Sequence, residues 1–161
     1  MSEYFMRVIQ PGDYKRVAEI YNSNYLFLRN HLGVEAIDEG FIEEEVLTMR
    51  RIGFCSCVIV SQEQKTVQGI LDYRPGKEVY LSLLMLTAQL QGKGLGRRIY
   101  DSFEKSMKQS GSSSIRIDVL DHDPGNLVSY WKMLGFSGNE TVTLKWGRKI
   151  SRAVVMRKKI P

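Results

Sequence analysis

The residues with the clearest chemical potential form the glycine-rich segment Gln91-Gly92-Lys93-Gly94-Leu95-Gly96. It follows an apolar run from Val79 to Leu86 and opens a helix-like segment that reaches about Lys108. A strand that turns through glycines into a helix leaves unpaired backbone N–H groups at one point, where the helix dipole adds partial positive charge. Glycine allows such a turn to adopt positive φ and to approach a phosphate closely. The segment therefore predicts a phosphate-binding loop.

Two common phosphate loops do not fit this spacing. A Walker A loop requires Ser or Thr directly after its lysine, whereas Gly94 follows Lys93 here. A Rossmann fingerprint places Gly-x-Gly-x-x-Gly near the start of a βαβ unit, with an acidic residue about 20 residues later. The glycines of this chain are spaced Gly-x-Gly-x-Gly and lie past its middle. A dinucleotide is therefore not expected.

The segment resembles the Gln/Arg-x-x-Gly-x-Gly/Ala loop of the GNAT-type N-acetyltransferases, with Gln91 in first position. The resemblance continues into the apolar strand and linker Leu81–Leu90 before the loop, and into the helix, the Ile115–Leu120 strand and the helix after it. That last helix ends in Tyr130-Trp131-Lys132-Met133-Leu134-Gly135-Phe136, which is similar to a family signature. The resemblance implies an α/β (α+β mixed) fold: a single domain over residues 1–161, with a mostly antiparallel mixed sheet of about seven strands and helices on both faces.

The same resemblance implies that acetyl-coenzyme A is the co-substrate. In the family the loop holds its pyrophosphate, and the strand before the loop splays from the next strand so that its backbone pairs with the pantetheine arm. A backbone N–H near Leu86 would then face the thioester carbonyl. The residues expected to bind acetyl-coenzyme A are Leu84, Met85, Leu86, Gln91, Gly92, Lys93, Gly94, Leu95, Gly96, Arg97, Asn126 and Trp131.

Catalytic roles are less fixed by the sequence. In the family a tyrosine often acts as the acid that protonates the leaving thiolate, and Trp131 occupies its position here. Because Trp cannot supply that proton, the neighbouring Tyr130 is the candidate acid. Candidate bases are Glu78, at the start of the strand before the loop, and His122, which follows a strand. Asp118 and Asp72 are alternatives, and each of these carboxylates could equally be a solvated strand-end group, with water relaying the proton.

The formal charge of +5 is concentrated at one end of the chain. Seven basic and no acidic residues lie between Lys145 and Pro161, which leaves 16 of the 23 basic residues against all 18 acidic ones elsewhere. That segment also has the pattern of a hairpin, so a solvated face is favoured over a nucleic-acid groove. Six carboxylates between Glu35 and Glu45 instead suggest an acidic entrance that attracts cationic amines, although solvated helix carboxylates are the plainer interpretation.

The composition of the chain indicates where the protein is located and which partners it has. There is no apolar run of 18 residues and no signal-peptide order at the N-terminus, so a cytoplasmic protein is expected, with no membrane and no nucleic acid among its partners. Cys55 and Cys57 are expected to be a reduced pair rather than a metal site. The expected partner is a small-molecule or peptide amine, and the protein is expected to be a monomer or a homodimer.

Local patterns predict the elements that must position these groups. Asp13 is expected to cap a helix that runs to about Phe27, and another helix is expected after Asp38 and up to Arg51. The remaining expected elements are strands over residues 6–10, 54–61, 66–73, 141–146 and 153–159 and a helix over 127–134, capped by the segment 123–126.

Two functional hypotheses follow from the resemblance. The leading hypothesis is N-acetylation of a primary amine by direct attack on the thioester. The alternative is a non-catalytic module that senses coenzyme A or its acyl form.

Overall fold

The computed structural model describes residues 3–120, 127–146 and 149–161, without the side chain of Trp146. Within these ranges seven strands form one sheet, in the spatial order β1-β2-β3-β4-β5-β7-β6. Every neighbouring pair is antiparallel except β4 and β5, which confirms the mostly antiparallel mixed sheet. The strands are β1 (Tyr4–Val8), β2 (Cys55–Ser61), β3 (Val67–Arg74), β4 (Glu78–Leu86), β5 (Ser114–Leu120), β6 (Ser137–Trp146) and β7 (Lys149–Lys159).

Helices cover both faces of the sheet, as predicted. None of those within the described ranges is long and apolar enough to cross a membrane. Short 3₁₀ turns occur at Pro11–Asp13 and Ala88–Leu90. The helices are α1 (Tyr14–Ser23), α2 (Tyr25–Phe27, continued by a π-helical turn over Leu28–Leu32), α3 (Glu39–Arg51), α4 (Leu95–Gln109) and α5 (Leu127–Met133).

Two hydrophobic clusters lie on opposite faces of the sheet. The first core joins α4 and α5 to the sheet, and its helix α4 buries an apolar stripe at helical spacing, with Tyr100 and Phe103 almost fully enclosed. The second core joins α1 and α3 to the other face, through residues such as Ile20 and Val46. Burial on both faces explains why the central strands carry long apolar runs.

A β-bulge changes the direction of side chains half-way along β4. Leu81 pairs with Tyr73 but Leu83 pairs with Asp72, so one residue of β4, Ser82, is extra. Before the bulge Leu81 lies in the first core, whereas after it Leu83 lies in the second core. The strand therefore presents different faces at its two ends and bends between them.

The first helical segment differs from its prediction. Asp13 does not cap α1 with its side chain. Its carboxylate instead accepts two hydrogen bonds from Arg7, at 2.8 and 2.9 Å, and one from the backbone N–H of Gln10 at 2.8 Å. The hydrogen bonds from Arg7 are the main cause of the lowered pKa of Asp13. Asp13 thus occupies the predicted N-cap position of α1, but its carboxylate bonds to Arg7 and Gln10 instead of to the first turn of the helix.

Three other boundaries also moved. Helix α1 ends at Ser23 rather than near Phe27, because Asn24 leaves the helical region at φ −103° and ψ 61°. Strand β1 spans Tyr4–Val8, two residues earlier than expected at each end, and the closing hairpin begins at Ser137 with longer strands than predicted. The helix after Asp38 ends at Arg51 as predicted, and the Asp38 side chain accepts a hydrogen bond from the Phe41 N–H at 2.9 Å.

Candidate active site

The central feature of the site is a gap between β4 and β5. These parallel strands contain nine and seven residues, but they pair only over Glu78–Tyr80 and Ser114–Arg116. Beyond Tyr80 the two strands diverge, and the bulge at Ser82 bends β4 at this point. The remaining six residues of β4 run for about 20 Å along the gap at the usual rise of a strand.

A buried polar cluster marks the point where pairing stops. The Tyr80 hydroxyl donates to Asp118 Oδ2 at 2.7 Å. This bond joins the last residue of β4 that pairs with β5 to the part of β5 that no longer pairs with β4. Arg116 donates to both oxygens of the same carboxylate at 2.9 and 3.0 Å, and its guanidinium lies 5.0 Å from the centre of the Tyr80 ring. The Asp118 side chain is only 2% exposed. We call these three residues the strand clamp.

The backbone of β4 alternates between β3 and the gap. Thr87 N–H donates to Gln68 O on β3 at 2.8 Å. Because alternate residues of a strand direct their N–H and C=O to opposite edges, Met85 also faces β3, while Leu84 and Leu86 face the gap. The Met85 side chain is buried in the second core. Of the three β4 residues expected to bind acetyl-coenzyme A, the structure thus directs two toward the gap and one away from it.

The gap leads into the glycine loop. Gly92 and Gly94 have φ of +76° and +80°, which are values that favour glycine, and a Cβ at either position would have no atom within 4 Å. Gly94 is the N-cap of α4, and the first bond within the helix is from Arg98 N–H to Gly94 O at 3.2 Å. The N–H groups before Arg98 are therefore available to a ligand, in an open cradle at the positive end of the helix dipole.

Gln91 fixes this loop to the end of β4. Its side-chain amide donates to Leu86 O at 3.0 Å and also bonds to Asn24 Oδ1. Asn24 in turn donates to Leu86 O at 3.0 Å and to Ile20 O at 2.8 Å. Sequence reasoning missed Asn24, for which the only signal was an Asn just after an apolar helical stripe. The break in the helix at Asn24 thus serves to attach α1 to the loop.

Basic side chains surround the cradle. Lys93, Arg97 and Arg98 are all exposed. Arg97 lies 3.3 Å from Asp101 on the next turn, and Arg98 lies 3.8 Å from Glu3. Exposed pairs of this kind are weak and are readily exchanged for a phosphate. The loop residues expected to bind acetyl-coenzyme A are therefore held together at one place, although the Leu95 side chain itself is buried in the first core.

Helix α5 lies on the β5 side of the gap. The Trp131 ring makes edge contacts with Tyr100, Phe136 and Tyr130, at centroid distances of 5.6, 5.3 and 5.4 Å. Trp131 thus packs against the first core, whereas its neighbour Tyr130 is 38% exposed. His122 and Asn126 lie outside the described residues, as does the segment expected to cap α5.

The three carboxylates that could act as a base have very different surroundings. Glu78 lies at the opposite end of β4 from Leu86, about 26 Å away along the strand, and accepts a hydrogen bond from Arg157 at 2.9 Å. Asp118 is held in the strand clamp. Asp72 is buried, and burial raises its pKa to about 7. The structure therefore does not bring Glu78 to the glycine loop and the gap. Among the described residues no group of His, Cys, Asp and Glu could hold a metal ion.

A family model described as an acetyltransferase (GNAT) domain matches residues 30–160. The chain belongs to the GNAT acetyltransferase family. It is accordingly an acyltransferase that depends on acetyl-coenzyme A, and the resemblance seen in the sequence is confirmed. The open glycine cradle at the start of α4 fits the pyrophosphate of that co-substrate, since its N–H groups and basic side chains suit an anion. A search of curated proteins finds no match.

Solved structures share the fold. The spermidine N-acetyltransferase of Vibrio cholerae, solved with CoA and spermine, superposes with a TM-score of 0.74 at 15% identity and covers 99% of this chain and 97% of its own. The ribosomal-protein-S5-alanine acetyltransferase of Vibrio fischeri gives 0.72 at 15% identity, covering 99% and 94%. Ard1 from Thermoplasma volcanium gives 0.70 at 16% identity, covering 99% of both chains. The predicted fold class is confirmed.

The glycine cradle yields a direct prediction. Gly94→Asp should weaken acetyl-coenzyme A binding at least about tenfold, equivalent to ~1.4 kcal/mol, because it adds a like charge beside the pyrophosphate and strains a backbone at positive φ. Gly111→Asp is the matched control, since Gly111 also has positive φ (+90°) and no atom within 4 Å of a Cβ, but lies after the other end of α4. Calorimetry on the two folded variants makes the comparison, and equal affinities would remove the loop from the binding site.

Proposed function

We propose that this protein transfers an acetyl group from acetyl-coenzyme A to a primary amine of a small molecule or peptide, by direct attack of the amine on the thioester. One observation carries the proposal: β4 and β5 separate after three paired residues, and the gap between them leads to the glycine cradle at the start of α4. A strand edge inside a sheet has N–H and C=O groups that need partners. The amide groups of a pantetheine arm can supply them.

Each part of the gap has a separate task in this reaction. The cradle and its basic side chains hold the pyrophosphate, and the gap-facing backbone of Leu84 and Leu86 aligns the arm as an added strand. Leu86 O already accepts hydrogen bonds from Asn24 and Gln91, so its N–H is the group left for the thioester carbonyl. A fixed N–H donor aimed at the developing oxyanion lowers the barrier without reorganisation. Binding both reactants in one gap supplies the remaining advantage of proximity.

The charge distribution supports a cationic amine as the acceptor. Glu43 and Glu44 are exposed on α3, and Glu45 on the same helix is partly buried, with a pKa raised mainly by that burial. Glu45 also interacts electrostatically with Asp72 beneath it, so negative charge extends from the surface toward β4. Two proteins of the same fold are named for amine acceptors, spermidine and a ribosomal-protein alanine. An ammonium ion is the form in which such acceptors arrive at neutral pH.

A second candidate function is a coenzyme A sensor that has kept the cleft without the reaction. It is favoured by Trp131, which stands where a tyrosine acid is expected and packs against the first core. Such a module would bind acetyl-coenzyme A at the same cradle and release no thiol.

A thiol-release assay separates the two functions. The purified protein is incubated with acetyl-coenzyme A and a panel of amines that spans polyamines, amino-acid amides and short peptides, and free thiol is followed with a chromogenic disulfide. Turnover that requires an amine, with the acetylated product seen by mass spectrometry, is the expected result. Tight binding of acetyl-coenzyme A without amine-dependent thiol release across the panel would support the sensor.

Tyr130 is proposed as the acid that protonates the departing thiolate, since it is the exposed phenol beside Trp131, which is partly buried against the first core. Tyr130→Phe should lower kcat on the order of 10²-fold, the lower end for acid catalysis, with acetyl-coenzyme A affinity nearly unchanged. Trp131→Phe is the control: it should lower the melting temperature through lost packing while kcat changes little. Full kcat in Tyr130→Phe would assign the proton to water or to another group.

Glu45 provides the test of the acidic approach. Glu45→Gln should raise KM for a cationic acceptor by roughly three- to tenfold, equivalent to ~0.7–1.4 kcal/mol. It should also flatten the rise of KM with ionic strength, since attraction of a dissolved cation to a charge near the surface is screened over about 8–10 Å. Glu43→Gln makes the same charge change on the exposed side of α3 and should have a smaller effect. Equal KM values in the parent and both variants would leave these carboxylates as a solvated helix face.

A further inference from the structure

Two of the three candidate carboxylates are hydrogen-bonded to basic side chains, and the third has a carboxylate oxygen without a partner among the described residues. Both oxygens of Asp118 accept hydrogen bonds within the strand clamp. Glu78 is occupied by Arg157 and lies far from the loop. Asp72 differs, because its Oδ1 is buried and has no hydrogen-bond partner among the described residues. A buried carboxylate oxygen without a partner is costly and calls for a ligand that can donate to it.

The surroundings of Asp72 favour a cation. Ser56 on β2 hydrogen-bonds to the carboxylate, and the titratable groups that face it are Tyr21 on α1, Glu45 on α3 and Cys57 on β2. None of these can carry a positive charge, and Glu45 repels an ionised Asp72. An ammonium group would relieve that repulsion and satisfy Oδ1 at once.

Asp72 is also in the right place for the reaction. It lies directly opposite Leu83, the first residue of β4 after the bulge. Such opposed residues have their Cβ atoms about 4.5–5.5 Å apart. Alternation from Leu81, whose side chain is in the first core, puts the extra residue Ser82 on the same face as Asp72. The Ser82 hydroxyl is likewise buried without a hydrogen-bond partner among the described residues. Two unsatisfied polar atoms therefore lie on the same face of neighbouring strands, where β4 turns away from β5.

We infer that Asp72 and Ser82 form the binding site for the acceptor's amino group, and that Asp72 is the base that takes its proton. This inference rests on the proposed acetyltransferase function and names the residues that receive the amine. The amine would enter from the α1 and α3 face, while the cradle holds the pyrophosphate at the start of α4, which packs on the opposite face.

The proton balance is complete with the groups named. The ammonium of the acceptor transfers one proton to the Asp72 carboxylate, and the neutral nitrogen then forms a C–N bond to the thioester carbonyl carbon. The C–S bond breaks, and the thiolate sulfur receives the second proton lost from that nitrogen, through Tyr130 if it acts as the acid. Asp72 returns its proton to solvent before the next turnover. The overall products are an amide, a free thiol and one proton.

The ionisation of Asp72 sets the expected pH dependence. Burial and the charge of Glu45 raise its pKa to about 7, against a partial opposing effect of the Ser56 hydrogen bond. Because the base must be ionised, kcat/KM should rise with pH through about 7 and then level off. Glu45→Gln removes one repelling charge, so it should move this rise to lower pH.

Three variants test the inference against the parent. Asp72→Asn should lower kcat at least about 10²-fold and abolish the rise near pH 7, with acetyl-coenzyme A affinity by calorimetry unchanged. Ser82→Ala should raise the acceptor KM several-fold with a smaller change in kcat. Glu63→Gln, in the exposed β2–β3 turn, is the control for loss of a carboxylate and should behave as the parent. If the role of Asp72 were purely structural, Asp72→Asn would lower the rates equally at every pH. The pH profile of Glu45→Gln would then be the same as that of the parent.

A stability measurement checks the same group without catalysis. The folded state of the parent holds a proton on Asp72 between about pH 4 and pH 7 that the unfolded state has lost, so parent stability should fall relative to Asp72→Asn as pH rises through that window. Unchanged kcat and pH profile in Asp72→Asn would overturn the inference. Absence of amine acetylation by the parent itself would overturn the proposed function instead, and the stability measurement would still report the ionisation of Asp72.

Discussion

The site depends on one interruption: the hydrogen bonding between β4 and β5 stops at Tyr80. Hydrogen bonding between two parallel strands would ordinarily continue for the length of the shorter strand, so a local feature must favour their separation. The bulge at Ser82 is that feature because it bends β4, and the strand clamp fixes where the separation begins. Asp118 is almost fully enclosed and bonded to Arg116 through both oxygens, so removing either partner would leave a buried charge uncompensated. The opening is therefore a defined part of the fold.

The interruption leaves backbone groups of β4 without partners from β5. Backbone groups of β4 beyond Tyr80 face a gap, and such groups are stable only when water or another partner satisfies them. An extended molecule with its own amide groups is the natural partner for a strand edge. In the proposed function, the same geometry would place its anionic end at the start of α4, because the strand, the glycine turn and the helix follow one another without a break. In the proposed function, binding of acetyl-coenzyme A would therefore complete the sheet along this edge of β4.

Much of this could be predicted from the sequence, since it depends on local patterns. Three closely spaced glycines between an apolar run and a helical stripe are sufficient to predict the cradle, and Gly92 and Gly94 do adopt positive φ. The helix after Asp38 and the hairpin strands were likewise set by capping and alternation. What could not be predicted depends on partners distant in sequence. Asp13 pairs with Arg7 rather than capping α1, and Asn24 breaks a helix in order to reach Leu86.

The carboxylates show the same limit most clearly, because their roles depend on environment and not on residue type. The Asp118 and Asp72 side chains are both buried in one sheet, yet both oxygens of Asp118 accept hydrogen bonds, whereas burial and the charge of Glu45 oppose the ionisation of Asp72. A carboxylate whose ionisation is opposed is a better proton acceptor at neutral pH than an ordinary one. The β-bulge brings the second carboxylate opposite the part of β4 that leaves the sheet. In the proposed reaction, the distortion that opens the gap for acetyl-coenzyme A would thereby also form the polar site for the acceptor on the other face of the sheet.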